Sequence, residues 1–139
     1  MAVTAYWYGL ALYDALKGDL DVDGTLKCGL ATSSYTPAQD THTAWADITN
    51  EVVGTGYTAG GATLANVAIT YTAGTNVIKL DADDVTWSTA TITARYAIIY
   101  DSTKDSLIGY IDFGGDVTST GGDFTITFHA NGIATATVS

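Results

Sequence analysis

Cysteine, proline and positive charge are all scarce in this sequence, and each scarcity excludes something. A single cysteine, Cys28, rules out an intrachain disulfide, so stability has to come from a hydrophobic core and from association. Five Lys and Arg stand against fifteen Asp and Glu, a formal net charge of −10. Phosphate contacts need Lys and Arg, so no nucleic-acid partner is expected, and no anionic membrane surface either. No apolar run approaches the ~18 residues of a spanning helix. The opening MAVTAYWYG has no basic stretch leading into a long apolar one, so no signal peptide is expected. Charged residues are only 14% of the chain, against about 25% in ordinary globular proteins. A neutral, hydroxyl-rich exterior suits a protein that packs against copies of itself or a neighbour.

What is present is a β pattern, centred on residues 84–116. Residues 92–100 alternate, with Ile92, Ala94, Tyr96, Ile98 and Tyr100 on one face and Thr93, Arg95, Ala97 and Ile99 on the other. Residues 101–106 carry turn formers and charge. Residues 107–113 then place Leu107, Gly109, Ile111 and Phe113 on one side, Ile108, Tyr110 and Asp112 on the other. Period-two runs apolar on nearly both faces mark central strands of a two-layer β fold. They should pair as antiparallel neighbours, with Ile98 and Ile111 in the core.

Further strands are expected at 26–33, 63–71, 77–80, 124–130 and 133–138. The last two meet at Asn131-Gly132, a strong hairpin signal. Residues 34–46, 54–61 and 114–123 read as loops, and 48–53 fits either a strand or one helical turn. One helix is expected over residues 4–17, with Thr4 capping it and Gly18 ending it, although Gly9 inside costs about 1 kcal/mol of propensity. Some seven to nine short strands at spacings of roughly 8–12 residues predict an all-β fold. The expected form is a single β-sandwich, jelly-roll-like, over residues 1–139, with an N-terminal helical segment, 1–18, docked on it.

Few residues suggest chemistry. Asp19, Asp21 and Asp23, followed by Gly24, have the spacing of the first half of a calcium loop. The twelfth position, which needs a bidentate Glu, is Leu30, so an acidic solvated turn is the better reading. Asp81, Asp83 and Asp84 read the same way. His42 and His129 lack zinc-ligand spacing, and Cys28 sits in a strand with no base beside it. No nucleophile elbow, phosphate loop or dinucleotide fingerprint is present, so neither enzymatic activity nor a cofactor is expected. The aromatics Tyr6, Trp7, Tyr8, Tyr35, Trp45 and Tyr57 exceed what a sandwich of this size needs inside. They are the candidate interface residues, because Tyr and Trp are enriched at interface centres. With Trp87 they could also make a sugar platform, or simply fold back over the sandwich ends.

Several stretches carry a resemblance: SSYTPAQDTH, EVVGTGYTAGGATLAN, ARYAIIYD, LIGYIDFGGD and the final NGIATATV. The chain resembles the small virion structural proteins of tailed bacteriophages, over nearly its whole length. The resemblance implies a non-enzymatic particle component of all-β fold and brings no catalytic residues with it. The function expected is a capsid decoration or cement protein stabilising the head. Its partners would be the major capsid protein or another virion protein, and copies of itself, most simply as a trimer. Such a protein is made in the host cytoplasm and ends on the virion. The alternative is a tail or fibre module that recognises cell-surface carbohydrate.

Overall fold

A computed structural model describes residues 2–139 and is built on one long hairpin. In chain order the elements are β1 (Thr4–Trp7), α1 (Ala11–Lys17), β2 (Leu26–Ala31), a 3-10 turn (Trp45–Asp47), β3 (Ala62–Thr63), β4 (Ala68–Thr72), β5 (Val77–Asp81), β6 (Val85–Asp101), β7 (Ser106–Ile126) and β8 (Ala134–Thr137). The fold is all-β with one short helix. Its two antiparallel sheets have the strand orders β1-β7-β6-β2-β3 and β4-β5-β8. This five-plus-three order does not by itself make a jelly roll, which is a double sheet of eight strands in two Greek keys.

The hairpin expected from the sequence is β6 and β7, paired from Asp101↔Ser106 at the turn to Val85↔Ile126 at the far end. Near the turn both faces are buried. On one face Leu26, Cys28, Leu30, Ala97, Ile99 and Ile108 join the main core. On the other, Tyr96, Ile98, Tyr100 and Tyr110 pack against Tyr8 and against Tyr35 and Ile48 of the loop after β2. A β-bulge divides these faces differently from simple alternation. Ile99 opposes Gly109 and Tyr100 opposes Leu107, so Ile108 has no residue opposite and turns to the Ile99 face. Ile98 is fully buried, whereas Ile111 is only half-buried at the core margin.

A second irregularity sets residues 113–116 against the single residue Arg95, between the pairs Tyr96↔Asp112 and Ala94↔Val117. Gly114 turns the chain there with φ 80. Beyond it the hairpin is a ribbon with one buried face, including Trp87, Ile92 and Phe124, and one threonine face. Thr86 and Thr125 are hydrogen-bonded at 2.9 Å, Thr93 and Thr118 at 2.8 Å. The segment 114–123, read from its Gly, Ser and Thr as loop, is therefore strand. Cross-strand hydroxyl pairs and ladder bonds hold it, not apolar patterning.

Three other expectations change. Residues 4–7 form an edge strand on β7, with Thr4↔Asp112 and Trp7↔Gly109, and the helix begins only at Ala11. A run of Tyr, Trp and Tyr suits a pleated edge better than a helix, and Gly9 lies at the switch between the two. Gly18 does end the helix, with φ 84. The strand expected over 63–71 is two, β3 and β4, in different sheets. Asn131-Gly132 turns, with Gly132 at φ 90, but β8 pairs with β5 and not with β7, so the turn carries the chain from one sheet to the other.

Candidate interaction surface

The small sheet sorts its side chains by register. Ile69 opposes Leu80, Tyr71 opposes Ile78, and Ala134 and Ala136 oppose Leu80 and Ile78 from the other edge. These residues share one apolar face, while Thr70, Lys79 and Thr135 point the other way. The apolar face turns toward α1. With seven residues, α1 is only ~10 Å long, too short to cover it. Leu80 is buried, but Tyr71 stays 59% and Ile78 38% exposed. On the helix, Leu12 and Leu16 are 56% and 83% exposed. Between helix and sheet runs a groove of about 150 Å³, lined by Leu12, Ala15, Leu20, Val22, Ile69 and Ile78 among others, none of them charged. Each large apolar side chain left in water forgoes about 1.5–3 kcal/mol of burial, so a connected set of them marks an interaction face.

The turn after α1 forms the end of this groove. Leu20 and Val22 enter it, while Asp19 and Asp23 alternate to the outside, with Asp21 between them half-buried. Hydrogen bonds within the protein hold the turn. The Asp101 carboxylate, fully buried at the end of β6, accepts the Asp21 N–H at 2.8 Å and the Thr103 N–H at 2.8 Å. Asp21 Oδ1 accepts the Asp23 N–H at 3.0 Å, and Lys17 pairs with Asp19 at 2.8 Å. Among the described residues no three metal-ligating side chains form a group. The second acidic cluster is likewise spread over separate contacts. Asp81 pairs with Lys79, Asp83 accepts from Asn66 Nδ2 at 2.6 Å, and Asp84 accepts the Phe128 N–H at 2.9 Å.

The six candidate aromatics separate. Tyr8 and Tyr35 are each 1% exposed, so they are core residues and not interface anchors. Their hydroxyls are bonded at 2.8 Å, and Tyr35 is bonded onward to His42 Nδ1 at 2.8 Å. Burial, then the Tyr35 bond, pushes the Tyr8 phenol well above its ordinary range. Trp45 is half-buried, stacked on Tyr100 with centroids 4.4 Å apart. Half-buried Tyr57 donates to Glu51 at 2.8 Å and accepts the Leu30 N–H at 3.0 Å. Tyr6 and Trp7 remain exposed on β1, Tyr6 stacked on Tyr110 and Trp7 bordering the groove. Sequence reasoning missed the groove residues Leu12, Ile69 and Ile78, because apolar residues at those spacings read as core.

Cys28 is fully buried, and burial pushes its thiol up to about 12, so it stays protonated at neutral pH. No described helix is long and apolar enough to cross a membrane. The chain matches no protein-family model, no curated protein and no solved structure.

Proposed function

We propose that the chain is a non-enzymatic structural component of a tailed-phage virion, a decoration or cement protein that attaches to the capsid and works there as a trimer. The observation that carries this reading is the half-covered apolar face between α1 and the small sheet. An uncharged apolar face left partly open on the domain is what attachment to a protein shell requires. The sequence resemblance supports the same class. The phage capsid protein is the partner, and no cofactor, nucleic acid or membrane enters the role. The carbohydrate-binding alternative finds less support, because Trp87 is buried and Trp45 is stacked on Tyr100. Quantitative mass spectrometry of purified particles tests the proposal. Hundreds of copies per particle are expected. Absence from the particle, or a handful of copies at the tail, contradicts it.

A further inference from the structure

We infer that the groove between α1 and the small sheet receives a segment of another protein that presents one large apolar side chain flanked by Lys or Arg. The inference rests on the reading of this face as an attachment surface, but not on the phage assignment.

The groove sets the anchor. Its volume is about 150 Å³. An apolar cavity of roughly that size accommodates a benzene-sized group, so a Phe or Leu side chain matches it. Leu12, Ala15, Val22 and Ile78 offer such a group only apolar surface. A polar or charged anchor would be desolvated there without a partner.

The rim sets the flanks. The turn that sends Leu20 and Val22 into the groove carries Asp19, Asp21 and Asp23 beside it. Lys17 neutralises Asp19. Neither Asp21 nor Asp23 has an ion-pair partner among the described residues. Two negative charges therefore stand at one end of an uncharged slot. A basic residue next to the anchor meets them, and the attraction also favours encounter with a chain of net charge −10. A second copy fits worse. It would bring its own acidic turn to the same rim, and like charges facing each other are unfavourable.

The test uses the full chain, ¹⁵N-labelled, titrated at low salt with the synthetic peptide Lys-Lys-Ala-Phe-Ala-Lys-Lys. Saturable shifts at the amides of Ala15, Leu20, Val22, Ile78 and Ala136 are expected. The same peptide with Glu for Lys, or Ala for Phe, is expected to give none. The double variant Asp21→Asn with Asp23→Asn keeps the Oδ1 acceptor that holds the turn. It should weaken binding about fivefold, the worth of two exposed charge pairs. Leu12→Gln, at an exposed helix position, should remove most of the response. Equal binding of the Glu peptide, shifts scattered over the surface, or no response at millimolar peptide overturns the inference. Concentration-dependent broadening of the same amides without peptide also overturns it, and assigns the face to a second copy. None of these outcomes depends on whether the chain is found in particles, so the two readings fail separately.

Discussion

Gly29 and Trp45 occupy one space. A Cβ on Gly29 would run into the six-membered ring of the Trp45 indole, which lies across β2 and stacks on Tyr100 with an interplanar angle of 18°. The missing side chain in mid-strand is what lets the long loop after β2 close over the second face of the sheet. Gly29→Ala should therefore displace the indole and destabilise the fold by about 1–3 kcal/mol, although alanine is otherwise the better strand residue. A lowered urea midpoint with red-shifted tryptophan emission is the expected result. An unchanged midpoint would mean that the loop seals the sheet without Trp45.

The tyrosine pair should respond asymmetrically. Tyr35→Phe leaves the buried Tyr8 hydroxyl without its partner, a loss of about 1–3 kcal/mol. Tyr8→Phe leaves Tyr35 still bonded to His42, and should cost only about 0.5–1.5 kcal/mol. Equilibrium unfolding of the two variants checks the order. Equal, negligible losses would return both tyrosines to the surface.

Asp101 should matter more than the three aspartates whose spacing suggests calcium. Its buried carboxylate accepts backbone N–H groups from two segments, Asp21 and Thr103. Asp101→Ala leaves those donors unpartnered and should cost about 1–3 kcal/mol. Millimolar calcium should leave Tm unchanged in the wild-type chain. A rise in Tm that a chelator reverses would show that the turn is a metal loop after all.

Acid should weaken the protein through identifiable groups. Backbone N–H donors from Thr43 and Ala44 hold the Asp47 carboxyl below its usual range, and the Arg95 guanidinium does the same for Asp112. A carboxyl lowered in the folded state stabilises the fold above its unfolded pKa of about 3.9. That stability disappears as pH falls through the lower folded value. Urea midpoints should thus be flat from about pH 7 to 5 and drop below about 4. Asp47→Asn should lower the neutral plateau and flatten the acid decline. An acid decline that Asp47→Asn leaves untouched would remove Asp47 from this account.

The parts legible in the sequence are those where one physical signal dominated. The β6–β7 hairpin was readable because its residues alternate and are apolar on both faces near the turn. The bulge at Ile108 was not, since one extra residue changes the phase without changing composition. Residues 114–123 read as loop because hydroxyl-paired strand and flexible loop share the same Gly, Ser and Thr. Residues 4–7 read as helix because the Thr4 cap and the Gly18 stop bracket a helix-length run, and only β7 as a partner makes them strand. At the candidate surface the apolar residues were visible one by one. That Ile69, Tyr71 and Ile78 outrun a seven-residue helix depends on tertiary placement, which no local pattern carries.

The most direct measurement of the central claim is a reconstruction of the phage particle at side-chain resolution. The chain should stand as trimers on the capsid, with Leu12, Leu16, Ile69, Tyr71 and Ile78 covered by capsid protein. Isolated monomers with that face open to solvent, or density for the chain only at the tail tip, would contradict it.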